Sequence, residues 1–197
     1  MRQRNATINR ITKETQIKLT FKLDGSGESK ISTTLPFLDH MLELFVKHGL
    51  FECKIDARGD TDIDDHHLVE DLGICIGEAL KKALGNKKGI ARYGFAQVPM
   101  DESLSSVTID LSGRPYLLYR VDVGKRRIKK FDVALIKEFL RAFCFSGGFN
   151  LHIHLLEKGN LHHAMESIFK ALALALDRAT SIDPRRKDII PSTKGTL

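Results

Sequence analysis

Apolar residues take every second place from Ile17 through Leu19 and Phe21 to Leu23, with Lys18, Thr20 and Lys22 between them. That alternation predicts a strand with one buried face. Asp24-Gly25-Ser26-Gly27 follows, a run tolerant of positive φ, and predicts a turn into a second short strand over residues 29–33. From Pro36 the period changes. Phe37, Leu38, Met41, Leu42, Leu44 and Phe45 form a helical stripe that should end near Gly49, with Pro36 in the first turn, where its missing N–H costs nothing. Residues 51–57 read as strand and residues 60–65 as a polar loop. From Asp65 onward, Leu68, Val69, Leu72, Ile76, Ala79, Leu80 and Ala83 recur at helical spacing up to Gly85.

The second half repeats this order. Residues 107–111 and 116–121 are strand candidates around the turn Ser112-Gly113-Arg114-Pro115. Asp132 can cap a helix that carries Val133, Leu135, Ile136, Phe139, Leu140 and Phe143 on its apolar face and stops at Gly147-Gly148. Leu151, Ile153 and Leu155 alternate as a strand, and a long helix runs through Ile168, Leu172 and Leu176 after the loop Lys158-Gly159-Asn160. Asp65-His66-His67-Leu68-Val69-Glu70 matches Leu161-His162-His163-Ala164-Met165-Glu166. The chain therefore reads as a duplicated β-β-α-β-α unit, about residues 6–90 and 91–190. The expected fold is an α+β sandwich with pseudo-twofold repeat, one domain with helices on one side of the strands. Residues 91–104 have ordinary composition and supply no linker.

Composition narrows the class. The chain has 197 residues, 42% hydrophobic and 28% charged, enough apolar content to exclude intrinsic disorder. No apolar run approaches the ~18 residues that span a bilayer, and MRQRNATINR has no apolar core of a secretory signal. Cys53, Cys75 and Cys144 are odd in number and form no CxxC pair. A reduced, cytoplasmic protein without disulfides or thiolate metal sites is expected.

The His-His-x-x-Glu copies carry the sharpest chemistry. Residues four apart share a helix face, so His66 with Glu70, and His162 with Glu166, can each bind one ion. His67 points roughly 100° away from His66, so adjacent histidines suit two different ions, with each helix contributing to both. Imidazole and carboxylate donors without sulfur suit manganese, iron, zinc or nickel, and the carboxylate share favours Mn²⁺. The bland alternative, polar residues at helix starts, gives no reason for the pair to recur at matching places. Arg92, Arg114, Lys170 and Lys194 could gather around a phosphate. The net charge of +6 and the runs Lys125-Arg126-Arg127 and Arg185-Arg186-Lys187 raise nucleic-acid binding, but aromatics do not interleave with them as stacking on single strands requires. No nucleic-acid or membrane partner is expected.

Five motifs then make the pattern specific: Phe37-Leu38-Asp39-His40-Met41-Leu42, Asp64-Asp65-His66-His67-Leu68-Val69-Glu70-Asp71, Pro99-Met100-Asp101-Glu102, Ser112-Gly113-Arg114-Pro115 and Pro191-Ser192-Thr193-Lys194-Gly195. Together, from about Ala6 to Gly195, they resemble the imidazoleglycerol-phosphate dehydratases of histidine biosynthesis. The resemblance implies a sandwich fold of the kind found in ribosomal proteins. It also implies a lyase that removes water from D-erythro-imidazoleglycerol phosphate to give imidazole acetol phosphate. The carbon acid is unactivated, so Mn²⁺ on a ring nitrogen would stabilise an imidazolate that expels the neighbouring hydroxyl, followed by enol formation and tautomerisation.

By the same resemblance, two Mn²⁺ ions per subunit would be held by His40, His66, His67, Glu70, His162, His163 and Glu166. Substrate contacts would fall to Glu14, His48, Arg92, Arg114, Lys170, Ser192, Thr193 and Lys194, with Glu14 as the acid/base. Where the family often carries another ligand histidine, 24 positions before the second pair, this chain has Glu138; beside apolar Ile136, Phe139 and Leu140 it is expected to ligate the metal, the alternative being a surface ion pair with Lys137 or Arg141. His152 and His154, on a strand, are expected to be structural or surface residues. A homo-oligomer of 24 subunits, built from trimers with metals at subunit junctions, is implied. Other readings of the residues alone are a different metal-dependent lyase or hydrolase of a phosphorylated small molecule, a basic RNA-binding module and a metal store.

Overall fold

The computed structural model describes residues 3–124, 126–186 and 188–197. Lys125 and Lys187, one in each basic run, lie outside the described residues. The first half runs β1 (Asn5–Ile11), β2 (Thr15–Lys22), β3 (Glu28–Ser32), α1 (Pro36–His48), β4 (Glu52–Gly59) and α2 (His66–Leu84). The second runs β5 (Tyr93–Met100), β6 (Ser103–Asp110), β7 (Tyr116–Arg120), a small ribbon of β8 (Arg127–Ile128) and β9 (Phe131–Asp132), then α3 (Leu135–Gly147), β10 (Asn150–Glu157) and α4 (Leu161–Thr180). Each half forms a four-stranded sheet with the same order, β1-β2-β4-β3 and β5-β6-β10-β7. In both, three strands are antiparallel and the last pairs in parallel.

The α+β class and the duplication are as the periodicity predicts, and each half carries one more strand at its start than the alternation revealed. β1 exposes most of its side chains and buries Ile8 alone. Its inward Arg10 is no apolar residue; the guanidinium reaches Asp71 on α2 at 2.9 Å. In β5 the large aromatics point outward, Tyr93 and Phe95 being more than half exposed, while Gly94 and Ala96 face inward. Small residues are required there because α4 packs directly on the strand: a Cβ on Gly94 would lie 1.8 Å from the carbonyl oxygen of Ala175. The size pattern is thus the reverse of an ordinary half-buried strand.

Helices α1 and α2 cover the inner face of the first sheet and α3 and α4 that of the second. The two helix layers meet, α2 against α3 and α1 against α4, so the order is sheet, helices, helices, sheet. One apolar cluster runs through both halves. Phe21 stacks with Phe45 and lies tilted against Phe51, Phe45 meets Phe143 across the halves at 6.1 Å, and Phe143 meets Phe149 at 5.0 Å. Each such ring, fully buried, stabilises by roughly 1.5–3 kcal/mol.

Helix starts follow side-chain oxygens. Asp39 of α1 accepts from the backbone N–H and hydroxyl of Thr33, and Asn160 caps α4 by accepting from the N–H of His162 at 2.8 Å. Helix α3 begins at Leu135, later than Asp132, because Phe131 and Asp132 are spent pairing with β8; Asp132 still accepts from Ala134 N–H at 3.0 Å. The three cysteines are free and buried, and burial pushes the Cys53 thiol up to about 12. No helix among the described residues is long and apolar enough to cross a membrane.

Candidate metal and substrate site

The α1–α4 contact brings the first motif and the second HHxxE together. His40 of α1 and His162 of α4 aim their Nε2 atoms at the same oxygen, Oε1 of Glu166, at 3.1 and 3.0 Å. The other oxygen of Glu166 accepts from Lys170 Nζ at 2.7 Å. Burial alone would push the Glu166 carboxyl up, but hydrogen bonds from Lys170, His40 and His162 outweigh it and hold the group at about 2. A carboxylate that stays ionised beside two imidazoles, all three donor atoms within 4.8 Å of one another, is a set that fits a divalent transition metal and has no thiolate to favour a softer one.

The α2–α3 contact builds the related arrangement in the other half. His66 Nε2 lies 3.8 Å from Glu70 Oε2, one helical turn apart. Here the neighbouring helix contributes Glu138 in place of a histidine. Arg141 links the two carboxylates, donating from Nη2 to Glu70 at 3.1 Å and from Nε to Glu138 at 3.1 Å. Glu138 is thus joined to Glu70 through Arg141, its ion-pair partner one turn along α3.

The second histidine of each pair points elsewhere, as the 100° separation predicts. His67 Nδ1 lies 3.1–3.2 Å from both oxygens of Asp60 and 3.9 Å from Glu14, and the Asp60 bond raises its pKa above the usual histidine value. His163 Nδ1 lies 3.2 Å from both oxygens of Glu102 and 3.8 Å from Asp101. The Asn160 and Glu102 backbone N–H groups, with His163, hold the Glu102 carboxyl at about 2.

A cavity of about 290 Å³ is lined by Arg92, Ser112, Arg114, Ser192, Thr193 and Lys194, together with the chain's last residues. Arg92 is fixed there, donating to both oxygens of Asp110 at 2.7 and 3.3 Å and to the Pro191 carbonyl at 2.7 Å. The cluster that the basic residues suggest therefore forms, with Lys170 as the exception. Lys170 serves Glu166 and does not line the cavity of its own chain. His48 sits exposed at the end of α1. His152 and His154 sit half-buried on β10, His152 beside Tyr116. Arg185 and Arg186 pair with Asp183, so that basic run is partly neutralised.

Sequence reasoning missed Asp60, Asp101 and Glu102 as neighbours of the histidines, and the contact of Arg141 with Glu70. For Glu102 a signal was present: it directly precedes β6 as Glu14 directly precedes β2. For Arg141 the contact with Glu138 is an i,i+3 pair readable from spacing, whereas its contact with Glu70 comes from another helix and gave none.

With this geometry in view, comparison with known proteins is direct. A family model described as imidazoleglycerol-phosphate dehydratase matches residues 33–176. The chain is 58% identical to the imidazoleglycerol-phosphate dehydratase of Geobacter metallireducens over 98% of its own length and 99% of the relative's. It is 56% identical to that of Halalkalibacterium halodurans over 98% and 100%. Among solved structures, the Staphylococcus aureus enzyme of that name superposes with a TM-score of 0.83 at 38% identity, covering 91% of this chain and 99% of the other. The Pyrococcus furiosus enzyme gives 0.83 at 37%, covering 96% and 100%.

Proposed function

Since this chain belongs to the imidazoleglycerol-phosphate dehydratase family, and so removes water from imidazoleglycerol phosphate in histidine biosynthesis, we propose that its duplicated His-His-x-x-Glu helices hold two Mn²⁺ ions per subunit. The observation that carries this reading is the convergence of His40, His162 and Glu166 from α1 and α4 on one point; in the other half His66 faces Glu70 on α2, and Arg141 joins Glu70 to Glu138 of α3. The ligand set is His40, His66, His67, Glu70, Glu138, His162, His163 and Glu166. Bound there, the metal supplies Lewis-acid stabilisation of negative charge on the imidazole ring.

The chain's own groups do the rest. The Arg92–Arg114–Lys194 cavity, with Ser192 and Thr193, takes the phosphate by charge-assisted hydrogen bonds. Arg92 is pre-positioned for this by Asp110 and Pro191, so little side-chain freedom is lost on binding. Dehydration removes one proton from carbon and delivers one to the departing hydroxyl. Glu14, an exposed carboxylate at the head of β2 and 3.9 Å from His67, is the group that moves it. His48 and Lys170 complete the contacts with substrate, Lys170 from its place on Glu166.

His67 and His163 lie on faces turned away from the His66–Glu70 and His162–Glu166 pairs. That arrangement supports completion of the metal sites by neighbouring subunits, in a 24-subunit cytoplasmic particle whose chains are single domains of two pseudo-repeats. The test is turnover of imidazoleglycerol phosphate after chelation and after return of Mn²⁺, with light scattering alongside. Loss of turnover and a smaller particle, both restored by Mn²⁺, are expected. Full turnover and unchanged mass without metal would refute the proposal.

A further inference from the structure

Asp60 and Glu102 belong to none of the roles above, yet the two halves use them identically. Each is an acidic residue in a loop outside the helix bearing the histidine pair, and each faces Nδ1 of the pair's second histidine with both oxygens. Asp60 approaches His67 at 3.2 and 3.1 Å, and Glu102 approaches His163 at 3.2 and 3.2 Å. A further carboxylate stands behind each at almost the same distance, Glu14 at 3.9 Å and Asp101 at 3.8 Å. The first histidines differ: His66 and His162 turn Nε2, not Nδ1, toward the carboxylate one helical turn on.

A carboxylate accepts and cannot donate, so a close Nδ1–carboxylate contact places the ring proton on Nδ1. The lone pair is then on Nε2, at the far side of the ring, directed away from the loop that holds it. We infer that Asp60 and Glu102 are positioning residues for the dehydration, locking His67 and His163 as Nδ1–H tautomers whose Nε2 faces outward as a metal donor. This rests on the reading of His67 and His163 as ligands. It also explains why the motif Pro99-Met100-Asp101-Glu102 carries its acids where it does: the β5–β6 turn delivers Glu102 to α4, as the loop after β4 delivers Asp60 to α2. Carboxylates behind metal-bound histidines fix ring orientation and raise ligand basicity, and losing them lowers metal affinity by roughly 10–100-fold.

Glu102 has a second task, accepting from Asn160 N–H at the start of α4 at 2.5 Å, so a structural effect must be separated from the tautomer effect. Glu102→Gln keeps an oxygen acceptor for both contacts; Glu102→Ala keeps neither; Asp60→Ala is independent of α4. Two readouts apply to the full chain. Solid-state NMR of metal-stripped, ¹⁵N-histidine-labelled protein reports which ring nitrogen is protonated, the two signals assigned by their loss in His67→Gln and His163→Gln. Competition between the protein and a chelator reports Mn²⁺ affinity.

Nδ1 protonation of both rings is expected in the wild type and in Glu102→Gln. In Asp60→Ala and Glu102→Ala the affected ring should shift toward Nε2–H, with Mn²⁺ affinity down roughly 10–100-fold, while Glu102→Gln stays within a few-fold of wild type. Nε2–H rings in the wild type, or wild-type affinity in both alanine variants, overturns the inference. If His67→Gln and His163→Gln lose Mn²⁺ while the alanine variants keep it, this inference alone fails. If the two glutamine variants also bind Mn²⁺ like wild type, the ligand reading fails and takes the inference with it.

Discussion

Gly94→Ala adds a single methyl group at the tightest backbone approach involving a site-bearing helix. The new Cβ would stand 1.8 Å from the Ala175 carbonyl oxygen and 2.9 Å from Ala179 N. Both are helix backbone atoms, so no side chain can swing aside. Restoring ordinary contact at 3.4 Å requires β5 and α4 to separate locally by roughly 1.6 Å. Overpacking of this kind costs about 1–3 kcal/mol, and each kcal/mol lowers the melting temperature of a domain this size by roughly 2–4 °C.

The effect on catalysis is smaller, for a reason visible in the fold. Ala175 lies nine residues beyond Glu166, about 14 Å along the helix. The opposite end of α4 is pinned by Glu102 on Asn160 N–H and by the buried Ser105–Ser167 pair at 2.6 Å. Helix α4 should therefore tilt about its ligand-bearing end. A full 1 Å displacement of the ligands would lower turnover on the order of 10²-fold, so a smaller loss is expected here. Thermal unfolding and kcat/KM of Mn²⁺-loaded Gly94→Ala are compared with Gln97→Ala, an exposed position on the same strand, which should shift stability by less than about 0.5 kcal/mol. A Gly94→Ala variant that melts with wild type and Gln97→Ala would refute the close packing of β5 on α4.

Other outcomes follow from the same geometry. Arg114→Ala and Lys194→Ala should each raise KM through lost phosphate contacts, by roughly 1.5–3 kcal/mol or about 10–100-fold; unchanged KM in both removes the cavity from the substrate site. Glu138→Gln should bind one metal per subunit at least tenfold more weakly and Glu138→His should keep it, read by elemental analysis; tight, full occupancy in Glu138→Gln leaves that residue as Arg141's ion-pair partner alone. Asp183 is held below the ordinary aspartate range by hydrogen bonds from Arg185, its backbone N–H and Arg186. A depressed folded pKa contributes stability above about pH 4 that drains as pH falls toward the folded value. The denaturation midpoint of Asp183→Asn should accordingly converge with wild type in acid and fall below it at neutral pH; a constant difference across the range would contradict this.

The helices were legible because each buries one stripe of large apolar residues, as at Met41, Leu42 and Phe45 of α1 or Ile168, Leu172 and Leu176 of α4. The interior strands β2, β6 and β10 were legible for the same reason. Edge strands β1 and β5 were not, because tertiary contacts chose their inward residues: Arg10 for an ion pair, Gly94 and Ala96 for a helix at close range. In the site, His66–Glu70 and His162–Glu166 could be paired from one helical turn, whereas His40 and Glu138 came from the family resemblance. The Lys170–Glu166 contact was also readable from spacing, since Lys170 lies one turn beyond Glu166. The Arg141–Glu70 contact and the Asp60 and Glu102 contacts depend on which loop or helix lies across from which, and local pattern contains no such information.

Metal stoichiometry tests the central claim most directly. Metal-stripped protein is titrated with Mn²⁺, with bound metal per chain counted after dialysis and turnover of imidazoleglycerol phosphate followed at each step. Binding should saturate at two ions per chain, with turnover reaching its maximum at the same point. Saturation at one ion or none, or full turnover before any metal is returned, would contradict a site built from both copies of His-His-x-x-Glu.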